Sequence, residues 1–205
     1  DGTLTISAGS SSGTITVAGI IDDSIEESNE TVIITLSNPS NATLGSDSVH
    51  TYTITDNEST RTIDFNTTSS NGAESVSSKV ITVDLSGESS QDVTVDYAIT
   101  GTATGSGTDF TLSNGTLTIS AGSTSGTITI ASIADDSLDE ENETIILTLS
   151  SPGNAILGSD SVHTYTIFDN DDSPVVDFNT TSSSGAESVT TKTITVDLSA
   201  VSAKD

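Results

Sequence analysis

Short runs in which isoleucine, valine and leucine alternate with threonine recur along the whole chain, broken by clusters of Gly, Asn, Asp and Ser. Alternation with a period of two is the pattern of half-buried strands, and the small polar breaks are turn chemistry. No stretch carries a helical stripe. Residues 63–66, 79–86, 92–100, 116–120, 126–133, 144–150 and 162–168 read as seven strands. That number and spacing predicts an all-β, Greek-key sandwich of the Ig-like kind. Ile81, Val83, Leu85, Ile128 and Ile130 are expected to face inward, with the intervening threonines toward water.

The pattern repeats. Residues 2–10, GTLTISAGS, return at 115–123, and the same shift of 113 residues carries 45–52 onto 158–165 and 64–70 onto 177–183. The two copies run without insertion at about two-thirds identity. Their identity collapses where 58–63 meets 171–176, which is where a linker is free to drift. The expected organisation is therefore the C-terminal part of a repeat at 1–58, a complete repeat at 59–171 and the N-terminal part of a third at 172–205. Asp1 falls inside the pattern, so the chain is expected to be a piece of a longer polypeptide.

Charge narrows the function classes. Thirty acidic side chains against four Lys and Arg give a formal net charge of -26, which repels nucleic acid and anionic membrane surfaces and attracts cations. No cysteine is present, so disulfides, thiolate metal sites and thiol nucleophiles are excluded, and two histidines make a zinc site improbable. No apolar run approaches the roughly 20 residues that a membrane helix needs. The serines have no partnering base, no phosphate loop precedes a helix, and His50 and His163 read as structural or surface residues. The chain is not expected to be an enzyme. A composition rich in Ser, Thr, Gly, Asn and Asp is associated with extracellular bacterial surface repeats, and an extracellular or cell-surface location is expected.

The carboxylates are not spread evenly. Asp135-Asp136-Ser137-Leu138-Asp139-Glu140-Glu141-Asn142-Glu143 lies between the fifth and sixth strands, and Asp169-Asn170-Asp171-Asp172 follows the seventh. In a sandwich whose strands alternate up and down, the first, third and fifth connections and the end of the last strand share one pole. Glu74, Asp109, Asp135, Asp136, Glu140, Glu143, Asp169 and Asp171 are thereby gathered at one end. Acidic loops are often no more than solvated surface, but four separate segments converging crowd like charges that a cation would neutralise. Oxygen-only ligation, completed by a backbone carbonyl such as that of Leu138, suits Ca²⁺ better than zinc or copper. The run lacks the spacing of an EF-hand loop.

The segments GTLTISAG, IADDSLDEENET at 133–144, Leu149-Ser150 and TIFDND at 166–171 together resemble the Calx-beta domain family, which includes the calcium-sensing domains of sodium/calcium exchangers. The resemblance covers the middle repeat and, through the 113-residue shift, both partial ones. It implies a seven-stranded sandwich with calcium held by loops at the tip. Its ligands would fall on Glu74, Asp109, Asp135, Asp136, the carbonyl of Leu138, Glu140, Glu143, Asp169 and Asp171. In the first copy they would fall on Asp22, Asp23, Ile25, Glu27, Glu30, Asp56 and Glu58, and in the third on Glu187. Asn170 stands where exchanger members carry the middle of three consecutive acids.

Two functions compete on these grounds. One is a calcium-stiffened structural repeat of an adhesin stalk or filament, touching neighbouring repeats, copies of itself and a cell-surface or matrix partner. The other is a calcium-sensing module of a transporter or enzyme. A glycan- or ice-binding sheet face ranks lower, because aromatics are only 3% of the chain. The partial repeats at 1–58 and 172–205 leave open sheet edges that strands of another chain could pair with.

Overall fold

A computed structural model describes residues 1–204, which fall into two compact units, Asp1–Ser59 and Thr60–Asp205. The first unit holds one antiparallel hairpin, β1 (Glu30–Thr35) with β2 (Val49–Ile54). Residues 2–20 precede it without forming a strand.

The second unit carries β3 (Thr62–Phe65), β4 (Ser69–Ala73), β5 (Ser78–Leu85), β6 (Val93–Gly101), β7 (Gly115–Ile119), β8 (Ser125–Ala131), β9 (Glu143–Gly153), β10 (Ile156–Leu157) and β11 (Val162–Phe168). After them come β12 (Val176–Phe178) and β13 (Val196–Leu198), paired as a small antiparallel ladder. The sandwich consists of a four-stranded sheet in the order β10-β3-β5-β8 and a five-stranded sheet in the order β4-β11-β9-β6-β7. The all-β class and the sandwich are as the alternation predicts.

The core forms because every second residue of the inner strands is apolar. Ile81, Val83 and Leu85 from β5 and Ile128 and Ile130 from β8 are buried against Ile145, Leu147 and Leu149 of β9, with Tyr165 and Ile167 of β11. Phe110, in the β6–β7 connection, closes the core near the acidic end. Complete burial of such a side chain contributes about 1.5–3 kcal/mol.

Two strands lay outside the sequence reading. β4, whose sequence is SSNGA, has no apolar alternation and is held by parallel pairing with β11. β10 is a two-residue parallel partner of β3. Their existence is decided by the exposed edges they cover rather than by their own side chains. His163 is structural: Nδ1 lies 2.6 Å from the Thr67 carbonyl, Nε2 lies 2.8 Å from Ser70 Oγ, and the ring packs 5.5 Å from that of Phe65. It ties β11 to the segment around β4.

Candidate metal centre

Four elements of the second unit end at the acidic pole. β4 and its turn deliver Glu74, the β6–β7 connection delivers Asp109, the β8–β9 connection delivers 135–143, and the end of β11 delivers 169–171. Glu74 is buried because its own amide continues the parallel ladder, donating to the Phe168 carbonyl at 3.0 Å. Asp109 is fixed by donating its amide to the Thr104 carbonyl at 3.0 Å while its carboxylate accepts from the Thr104 amide at 2.5 Å.

The β8–β9 connection is shaped by its own acids. The Leu138 amide donates to Asp136 Oδ1 at 2.7 Å, and the Glu140 amide donates to Asp169 Oδ2 at 2.9 Å. The Asp171 amide donates to Asp169 Oδ1 at 3.1 Å, so Asp169 is clasped from two loops. Asn142 Oδ1 accepts from the Asp169 amide at 3.2 Å, and Asn170 Nδ2 donates to Asp135 Oδ1 at 3.3 Å. The role of Asn142 was not read from the sequence, although an asparagine at both 29 and 142 was the available signal.

These segments enclose a cleft of about 180 Å³ lined by Glu74, Asp109, Asp136, Glu140 and Glu143. Glu74, Asp169 and Asp171 place one carboxylate oxygen each within 4.8 Å of one another. At such a separation two full charges repel by roughly 3 kcal/mol at an effective dielectric near 20. Burial and crowding raise several of these carboxyls above their ordinary values. Burial raises Glu143 to about 7, helped by the charges of Asp109 and Glu140. Burial likewise pushes Glu74 up, reinforced by Asp169, Asp171 and Asp135 although the Asn170 amide opposes it. Glu140 and Asp171 rise for the same reason, desolvation first and neighbouring acids second.

Asp169 moves the other way. Its burial would raise it, but the amides of Asp171 and Glu140 and the Lys204 ammonium outweigh that and hold it below the ordinary aspartate value. Asp171 Oδ2 is buried without a hydrogen-bond partner. A pole whose charged ligand groups are all carboxylates, with the Asp171 Oδ2 orphaned and several carboxyls raised above their ordinary range, fits a hard divalent cation such as Ca²⁺. Glu74, Asp109, Asp136, Glu140, Glu143, Asp169 and Asp171 are the residues positioned to hold it. Asp135 accepts a hydrogen bond from Asn170 and does not line the cleft, and Leu138 supplies the amide that orients Asp136.

The first unit repeats part of this geometry. The Ile25 amide donates to Asp23 Oδ1 at 2.7 Å, as Leu138 does to Asp136, and the Asp56 amide donates to Asn29 Oδ1 at 3.0 Å. Glu58 is raised by desolvation and by Asp56 and Asp22 beside it, so those three acids converge. Glu27 and Glu30 are exposed. Glu187 of the third segment is exposed as well.

The raised carboxyls carry a pH signature. Glu143 keeps its proton in the folded state up to about pH 7, whereas at its ordinary value of 4.5 it would already have lost it in the unfolded chain. The folded state binds more protons in that window, so metal-free stability falls as pH rises through it. Calorimetric melting in excess chelator is expected to give a lower midpoint at about pH 8 than at about pH 5. A flat profile would show that the cluster is not desolvated.

The fold and the pole define a class: a β-sandwich whose connections at one end form a cage of carboxylates. The sequence profile of the Calx-beta domain matches residues 1–58 and 56–171, and the chain belongs to the Calx-beta family. Among solved structures, it is similar to the apo form of the Calx CBD1 domain at 27% identity and a TM-score of 0.50, covering 55% of this chain and 100% of that one. It is also similar in fold to CBD12 from CALX1.2 at 23% identity and a TM-score of 0.50, covering 58% of this chain and 48% of that one. The chain thus spans about half the length of that CBD12 structure. Comparison with curated protein sequences finds no match.

Proposed function

We propose that this chain is a calcium-binding structural repeat of an extracellular bacterial surface protein, such as an adhesin stalk or filament, in which the ion stiffens the junction between successive repeats. The observation that carries the reading is the triad of Glu74, Asp169 and Asp171, with carboxylate oxygens within 4.8 Å of one another, in which Glu74 also lines the acidic cleft. β11 ends at that pole and runs straight into the next repeat, so a cation there braces the exit of one domain. Membership of the Calx-beta family supports the calcium assignment, and tandem copies at about two-thirds identity support a mechanical role over a tuned one. The module binds; it does not catalyse. Its partners are neighbouring repeats, copies of itself and a cell-surface or matrix ligand.

A calcium-sensing role within a transporter or enzyme is the second reading, favoured by the likeness to the Calx CBD1 domain. Titration calorimetry with Ca²⁺ and with Mg²⁺, followed by small-angle scattering with and without chelator, separates the possibilities. Heat with Ca²⁺ and a maximum dimension that grows and sharpens with the ion support the rod. Binding heat with unchanged dimensions would defeat the rod, and no heat at all would sink both.

A further inference from the structure

One buried acid of the pole is satisfied by a different segment from the other acids. Asp139 is only 4% exposed, yet it is absent from the cleft lining. Its partners all come from the segment that follows the middle repeat. Lys204 Nζ lies 2.6 Å from Asp139 Oδ1, Ser202 Oγ donates to Oδ2 at 3.0 Å, and Ser173 Oγ donates to Oδ1 at 3.4 Å. The backbone joins in: the Ala203 amide donates to the Asp139 carbonyl at 3.0 Å, and residues 139 and 202 form a parallel bridge.

We propose that Asp139 is a docking residue for the following repeat of the same chain, and that the loop Ser202-Ala203-Lys204 is the hook it receives, locking the junction without metal. Three observations carry it. A carboxylate this deeply buried is costly unless charge-paired, and the hook supplies both an ammonium and a hydroxyl. The chain has only four Lys and Arg against thirty acids, and one of the four is spent at this contact. The hook's own turn also recurs in the repeat. The Lys204 amide donates to Ser202 Oγ at 3.0 Å, as the equivalent Gln91 amide donates to Ser89 Oγ at 3.2 Å in the complete repeat.

Lys204 Nζ also lies 3.5 Å from Asp169 Oδ2. The hook therefore touches a residue of the candidate metal centre while anchoring on one that is not part of it. The lock does not depend on the calcium reading, because Asp139 and its partners Ser173, Ser202 and Ala203 contribute nothing to the cleft lining.

The test uses the whole 205-residue chain in excess chelator. It contains no cysteine, so Ser123→Cys with Thr193→Cys gives a single pair of spin labels, one on the middle repeat and one on the segment after it. A single narrow distance distribution is expected, broadening in Lys204→Gln and in Asp139→Asn and narrow again in Lys204→Arg. In melting experiments each of the first two variants is expected to lower the midpoint by about 3–6 °C, and the double variant by no more than the larger single loss. A broad distribution in the unsubstituted chain, or strictly additive losses, would overturn the lock. A junction that narrows only when calcium is added would overturn it too, while leaving the calcium site intact.

Discussion

Saturating calcium is expected to raise the melting midpoint of the 60–205 unit by about 5–15 °C, and Glu143→Gln is expected to abolish most of that rise while lifting the metal-free midpoint. The size of the shift follows from linkage: a ligand at 100 to 1,000 times its dissociation constant stabilises by about 2.7–4.1 kcal/mol, and for a domain of this size about 1 kcal/mol moves the midpoint by roughly 2–4 °C. The opposite signs follow from the crowding. Without metal, Glu143 is a desolvated carboxyl beside Asp109 and Glu140, held up to about 7. A neutral amide of the same shape relieves that repulsion. With metal the same carboxylate is an attraction, and the amide cannot replace its charge. Differential scanning calorimetry near pH 8, with chelator and then with calcium, reads both signs. A variant that destabilises both states equally would mean that Glu143 is merely structural.

Gly72→Ala is expected to cost about 2–4 kcal/mol, with much of the loss recovered when Tyr165→Phe is added. β4 and β11 run parallel with Ser70 opposite Tyr165 and Gly72 opposite Ile167. A Cβ on Gly72 would collide with the Tyr165 hydroxyl. That hydroxyl is buried and makes no hydrogen bond, so it cannot turn toward a partner to make room. Tyr165→Phe alone is expected to be close to neutral or stabilising, since it removes an unsatisfied polar atom. Denaturant unfolding of the two single variants and the double closes the cycle; additivity would show that the two groups do not meet. Because Gly72 leads two residues on to Glu74, the collision is also expected to weaken calcium binding, which the same titration that tests the site would detect.

Much of the fold was legible. The strands at 78–85, 93–101, 143–153 and 162–168 carry alternating apolar residues at 81/83/85, 93/95/97/99, 145/147/149 and 165/167, and the predicted inward residues of β5 and β8 are those found buried. The convergence of Glu74, Asp109, Asp136, Glu140 and Glu143 was also legible, because alternating strand direction alone sends those connections to one end. β4 was not, since SSNGA carries no alternation and exists as a strand only against the free edge of β11. Nor was the orientation of Asp139: in the sequence it is one acid among several, and only its neighbours in space turn it toward Ser202 and Lys204.

Local pattern was enough to determine class, period, register of inward residues and the end at which the charge collects, because each depends on side-chain alternation and chain direction. It could not decide burial. Phe65 is 2% exposed and its copy Phe178 is 64% exposed, although both sit in the same four-residue context. Residues 115–119 form a strand whereas their identical copies at 2–6 do not. The difference lies in what stands opposite: β7 pairs with β6 and β8 with β5, so these strands exist only where the earlier half of the repeat offers its backbone. A strand's hydrogen bonds and its apolar face are both satisfied by other segments, and those partners are a property of the tertiary structure alone.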